Sequence, residues 1–215
     1  RKAAEVFGAD RTYFVTGGTS AANKIVSLAT VTGGDVVLVD RNCHKSVMHA
    51  IIMAGAVPVY LIPARNEYGI IGPIYSREFR PDVIREKIRN CPLIEDPASQ
   101  TVRLAVITNS TYDGICYSAE RIEEQLRDMV PYLLFDEAWS GYARFHPLYA
   151  GRFGMHPTDV VGPTVFATQS THKVLAAFSQ GSMLHVRQGR GPVDHPRFNE
   201  AFMMFTSTSP QYTII

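Results

Sequence analysis

Cysteine is scarce in this chain: Cys43, Cys91 and Cys116 are all it has, an odd number at wide spacing. That is too few for a disulfide scaffold and lacks the paired spacing of a zinc site, so a reducing cytoplasm is the expected setting. An excess of charge is missing too. Against 21 Lys and Arg stand 20 Asp and Glu, a net charge of +1 with no block of one sign. This removes the electrostatic footprint of a nucleic-acid or membrane-surface binder and leaves a small molecule or another protein as the expected partner. Long hydrophobic runs are absent as well. Stretches such as Val36–Val39 and Ala56–Ile62 fall far short of the roughly 18 apolar residues of a membrane span. With 46% hydrophobic residues and only 16 Gly and 13 Pro in 215, neither a disordered nor a collagen-like chain fits. The chain opens on Arg1-Lys2-Ala3-Ala4-Glu5, which reads as the middle of a helix rather than a signal peptide, so a piece of a longer protein is expected.

What is present is an alternation of strand and helix. Short runs rich in Val, Ile, Tyr and Phe, each ended by a polar residue or Gly, predict seven buried strands: Tyr13–Val15, Val36–Asp40, Val57–Ile62, Leu104–Thr108, Tyr132–Phe135, Val165–Thr168 and Ser182–Val186. Helical periodicity occupies Ser20–Thr30, Lys45–Ala54, Pro81–Asn90 and Ala119–Met129. The fold class is therefore α/β, a mostly parallel seven-stranded sheet with flanking helices, in one domain over residues 1–215. The stretch Arg187–Ile215 reads as loop, with an apolar element beginning at Thr213-Ile214-Ile215. In such sheets ligands bind beyond the carboxyl ends of the strands, so the corners there are the places to look.

The first corner, Thr16-Gly17-Gly18-Thr19-Ser20, places two glycines and two hydroxyls at a helix start. Close backbone approach, a capping hydroxyl at Thr19 or Ser20 and the helix dipole suit a phosphate, although a plain capped helix reads the same way. A nucleotide P-loop fails, because Asn23 stands where its second glycine belongs and Ile25 where its Ser or Thr belongs. The second corner carries His44, which alone could be an acid or base, a flat stacking surface or a cap for the next helix. His49 follows at the wrong spacing for a metal pair, and no metal is expected. At the fifth corner Asp136 follows directly on an apolar strand, so unless it faces solvent it needs a cation or strong donor. The single tryptophan, Trp139, sits beside it. The sixth corner packs Ser170, Thr171, His172 and Lys173 ahead of Val174-Leu175-Ala176-Ala177. A lysine enclosed by apolar residues is desolvated and becomes a nucleophile towards carbonyls, whereas one that reaches solvent is not.

A phosphate cradle, a carboxylate and a nucleophilic lysine, each past its own strand, are the three anchors of pyridoxal 5′-phosphate. In their order, and in the stretches Gly17–Lys24, Asp40–Ser46, Thr108–Gly114, Asp136–Trp139, Ser170–Lys173 and Thr208–Pro210, the residues resemble the bacterial Orn/Lys/Arg decarboxylases, whose cofactor domain is of the aspartate-aminotransferase type, fold type I. The resemblance implies decarboxylation of a basic amino acid to its amine through a Schiff base at Lys173. It implies that Asp136 pairs with the pyridine nitrogen, that His44 stacks on one ring face with Ala138 on the other, and that Thr19, Ser20, Ser170 and His172 surround the phosphate. Ser207 would reach the phosphate of a neighbouring subunit, which makes the protein a homodimer or higher oligomer. The wording at Gly162–Thr168, His185-Val186-Arg187 and Tyr142–Phe145 is most similar to the acid-inducible arginine branch, with lysine or ornithine as alternatives. The family's N-terminal wing and C-terminal domain are not found in these residues, which leaves open whether they bind the cofactor alone. The alternatives are another fold type I enzyme, an aminotransferase or aldolase, or an assembly domain without chemistry.

Overall fold

A computed structural model describes residues 1–207 and Ser209. Seven strands form one sheet: β1 (Arg11–Val15), β2 (Val36–Asp40), β3 (Val57–Leu61), β4 (Val102–Thr108), β5 (Tyr132–Asp136), β6 (Thr164–Gln169) and β7 (Ser182–Arg187). Seven helices accompany them: α1 (Lys2–Phe7), α2 (Gly18–Thr30), α3 (Lys45–Ala54), α4 (Pro81–Arg89), α5 (Ala119–Leu126), α6 (Thr171–Val174) and α7 (His195–Met204). The strand order is β1-β7-β6-β5-β4-β2-β3. β7 runs antiparallel to both its neighbours, and the remaining pairings are parallel. β7 departs because the link from β6, residues 170–181, holds only the single turn of α6, too short for a crossover helix. Ser182 therefore returns to the end of the sheet where β6 finishes.

The inner strands are apolar almost without interruption because helices cover both faces. Along β5 the pleat sends Leu133 and Phe135 to one core, shared with Ile84 of α4 and Leu126 of α5. Tyr132 and Leu134 go to the other, shared with Ile25 and Val26 of α2 and Ile51 of α3. All seven expected strands are present.

Residues 195–204 correct the expected loop, since they form α7. Asp194 caps it by accepting from the Arg197 amide at 3.3 Å, Pro196 fills the first turn, and Phe198 and Ala201 are buried in the α2 core. The Gly and Pro residues of this stretch punctuate its start rather than its length. The apolar element expected at Thr213–Ile215 lies outside the described residues. No helix among the described residues is long and apolar enough to cross a membrane.

Candidate active site

The carboxyl ends of β1, β2, β4, β5 and β6 converge on a cavity of about 520 Å³. Thr19, Ser20, His44, Asp136, Ala138, Ser170, His172 and Lys173 all line it. Of the expected site residues only Ser207 does not; it is exposed beyond α7, and its hydroxyl accepts from the Ser209 amide at 3.0 Å.

At the β1 corner the chain turns into α2 through Gly18, whose φ of 74° is left-handed. α2 begins at Gly18, two residues before the expected start, so Thr19 and Ser20 lie inside its first turn and neither caps it. Thr19 is buried instead, and its hydroxyl meets Ser170 at 2.8 Å and Ser182 at 3.1 Å. The amides of that first turn have no helical acceptors, which together with the hydroxyls makes a site for an anion.

At the β2 corner His44 is both the cap of α3 and part of the cavity wall. Its Nδ1 accepts from the Ser46 amide at 3.2 Å and lies 2.8 Å from the Ser46 hydroxyl.

Asp136 ends β5 nearly inaccessible, at 3% exposure, so the solvent-facing alternative is excluded. Its donors are the Asn23 amide, 2.9 Å from Oδ2, and the Ala138 backbone, 3.2 Å from Oδ1. Burial pushes its pKa up, while those two hydrogen bonds and the charges of His44 and Lys173 pull it down; burial prevails. The carboxylate is thus primed for a cation.

In the sequence Asn23 is a misfit to a P-loop pattern and part of the Gly17–Lys24 stretch, with no role of its own. It sits with Thr19, Val26, Ser27 and Thr30 on the buried stripe of α2, and a polar residue in such a stripe is the signal that marks it.

Of the two readings of Lys173 the structure shows the one that reaches solvent: its side chain is exposed within this chain, because α6 lasts one turn and residues 176–180 stay at the surface, and it still lines the cavity. Its amine rests over the Trp139 ring, 4.2 Å from the centroid. Next to it the His172 Nδ1 donates to the Gly181 carbonyl at 2.8 Å. Asn42, Thr108, Ser110, Tyr112 and Gln180 also line the wall.

These residues fit pyridoxal phosphate. Amides and hydroxyls at the α2 start suit its phosphate, Asp136 its ring nitrogen, His44 and Ala138 its faces, and Lys173 its aldehyde. Among the described residues no cluster of His, Cys, Asp and Glu is arranged to hold a metal ion.

The family model described as Orn/Lys/Arg decarboxylase, major domain, matches residues 1–215. The biodegradative arginine decarboxylase of Escherichia coli is 52% identical over 99% of this chain and 28% of its own length. The lysine decarboxylase LdcA of Pseudomonas aeruginosa is 59% identical over 100% of this chain and 29% of its own. A solved structure of lysine decarboxylase A from Pseudomonas aeruginosa superimposes with a TM-score of 0.92, 58% identity, and coverage of 99% of this chain and 29% of that one. The N-succinyldiaminopimelate aminotransferase of Mycobacterium tuberculosis, 15% identical with a TM-score of 0.61 over 91% of this chain and 46% of that one, shares the fold. The chain spans less than a third of the length of the decarboxylase relatives.

Proposed function

The chain belongs to the Orn/Lys/Arg decarboxylase family, and from that premise we propose that it builds the cofactor site of a cytoplasmic, homo-oligomeric decarboxylase of basic amino acids dependent on pyridoxal phosphate. When bound, the cofactor supplies a cationic ring that accepts the electron pair left at Cα as carbon dioxide departs. The chain's own residues do the rest. Asp136 holds the proton on the ring nitrogen, since a buried carboxylate is most stable against a cation. His44 covers one face of the ring and Ala138 the other. Thr19, Ser20, Ser170 and His172 hold the phosphate. Lys173 would hold the cofactor's aldehyde through its amine and exchange that place with the amino group of the substrate. His44, or a group beyond these residues, returns the proton to Cα. Ser207 completes the phosphate site of the neighbouring subunit.

The observation that carries this reading is the buried Asp136, oriented by Asn23 and Ala138, in one cavity with His44 and Lys173. The wording of residues 162–168 and 185–187 favours arginine as the substrate, whereas the relative at 59% identity is named for lysine and the one at 52% for arginine. Full-length protein incubated with arginine, lysine and ornithine in turn is expected to release carbon dioxide and the matching amine, fastest from arginine. Keto acid without gas would mean an aminotransferase instead. Lys173→Ala should abolish gas release and the visible absorbance of bound cofactor, and persistence of that absorbance would refute the role of Lys173.

A further inference from the structure

Asn23 is fully buried in the middle of α2, and its amide is fully used. Its Oδ1 accepts from the Thr168 hydroxyl at 2.7 Å. One Nδ2 proton goes to Asp136 Oδ2 at 2.9 Å and the other to the Ser46 hydroxyl at 3.2 Å. The opposite orientation would set the amide oxygen against the Asp136 carboxylate, acceptor against acceptor, so the charge of Asp136 selects this one.

The direction of donation carries on to His44. Having accepted from Asn23, the Ser46 hydroxyl has its own proton to give, and His44 Nδ1 lies 2.8 Å away. The Ser46 backbone amide, which can only donate, also points at Nδ1, at 3.2 Å. Nδ1 is therefore an acceptor, and a neutral His44 ring carries its proton on Nε2.

We propose that Asn23 is a positioning residue that fixes both ring-binding groups with one amide: it orients the Asp136 carboxylate directly and the His44 ring through Ser46. This rests on the cofactor reading above. Asp136 cannot turn without breaking its bond to Asn23, and His44 cannot turn without breaking its bond to the Ser46 hydroxyl that Asn23 holds, so the in-plane charge and the stacking face are set through one side chain.

The test uses the full-length apo protein and two ligands: pyridoxal phosphate and its 1-deaza analogue, which has a C–H in place of the ring nitrogen and gains nothing from Asp136. Binding is measured by spectroscopic titration of the wild type, of the near-isosteric Asn23→Leu and of Ser46→Ala. Asn23→Leu should weaken pyridoxal phosphate about tenfold or more, the cost of one hydrogen bond to a charged group, and the analogue by less than about threefold. Ser46→Ala should retain the wild-type preference between the ligands but change the visible circular dichroism of the bound cofactor, as His44 loses its orientation. Equal weakening of both ligands by Asn23→Leu would mean a packing role only, and no weakening would mean no role; either overturns the proposal. An unchanged dichroism in Ser46→Ala overturns the His44 arm. If Asn23→Leu does not accumulate, Asn23→Ala is read by the same criteria. A wild type that binds neither ligand would overturn the cofactor reading itself and this proposal with it, a result distinct from loss of selectivity in the variants alone.

Discussion

The Lys173 amine lies over the face of Trp139, 4.2 Å from the ring centroid, and Tyr112 packs edge-on against the same indole at 5.8 Å. A cation so placed gains about 0.5–2 kcal/mol from the ring. In the function proposed above amino-acid binding frees Lys173, and the indole gives the freed ammonium a resting place. Trp139→Leu is therefore expected to weaken amino-acid binding about 2- to 30-fold. Trp139→Phe should fall between the two. Equal substrate affinity in all three proteins, measured by titration with an unreactive amino-acid analogue, would remove this role from Trp139.

Glu137, next to Asp136 in sequence, is buried on the other side of β5 and takes no part in the cavity. It accepts from the Gly154 amide at 2.5 Å and from Gln169 at 3.0 Å, and burial, with a smaller contribution from the Asp136 charge, raises its pKa from 4.5 to about 7. A carboxyl whose folded pKa is raised is destabilising once ionised. The wild type should therefore lose stability as pH rises from 4.5 through about 7, by roughly 3 kcal/mol at the top of that window. Glu137→Gln removes the titration. Gln169 can turn to match it, because burial keeps the adjoining His185 neutral, with a pKa of about 4, and able to accept. Thermal denaturation of both proteins from pH 5 to 8 is expected to show Glu137→Gln gaining on the wild type as pH rises. A gap that is constant over that range would contradict the assignment.

Much of this was legible in the sequence, for reasons that particular residues make plain. β2 and β5 are apolar up to their final aspartate because both faces of the sheet are covered, and such runs end where the cavity begins, which made Asp136 conspicuous. His44 could be read as a cap or as a ring-binding group, and its geometry makes the two roles one. Asn23 is marked by its place on the buried stripe of α2, but its role is not, because asparagine in a helix ordinarily marks a cap or a solvated face. Its meaning comes from the packing of α2 against β5 and β6, which no local pattern records. The surroundings of Lys173 stay open in the sequence for a similar reason: Val174-Leu175-Ala176-Ala177 looks like a cover, but whether apolar residues close over a side chain depends on how long the helix that carries them lasts. α7 was lost to the glycines and prolines before it, although Asp194 and Pro196 are themselves a helix-start signature.

At the opposite end of the sheet, His156 Nε2 lies 2.9 Å from Glu123 Oε2, and the Arg187 guanidinium bonds the same oxygen. Burial alone would raise the Glu123 pKa, but the hydrogen bonds and charges of His156 and Arg187 outweigh it and hold the carboxyl below its ordinary 4.5. A depressed folded pKa stabilises above the unfolded value, and that contribution is lost as pH falls through the folded value. Glu123→Gln breaks a buried ion pair and should cost about 3–5 kcal/mol at neutral pH. The difference in melting temperature from the wild type should close as pH drops below about 4.5. Because β7 is antiparallel, Arg187 lies at the amino ends of the parallel strands, away from the cavity. Decarboxylation by the folded variant at neutral pH is therefore expected to match the wild type.

Ser207 follows α7 in a segment that passes close to the phosphate corner, with the Phe205 carbonyl 3.4 Å from where a Cβ on Gly17 would sit. Its own hydroxyl does not line the cavity of its chain, and the proposal above assigns it to the neighbouring subunit. Hybrid dimers of full-length protein decide between the two. When Lys173→Ala chains pair with Ser207→Ala chains, the one site that retains Lys173 belongs to the Ser207→Ala chain. If Ser207 acts across the interface, that site receives an intact hydroxyl from its partner and binds the cofactor as the wild type does. If Ser207 acts within its own chain, the same site lacks the hydroxyl and should be about 10- to 100-fold weaker, as in the Ser207→Ala homodimer, since a hydrogen bond to a charged phosphate is lost. Differently tagged chains, co-expressed and purified through both tags, isolate the hybrid, and titration of its single competent site gives the answer.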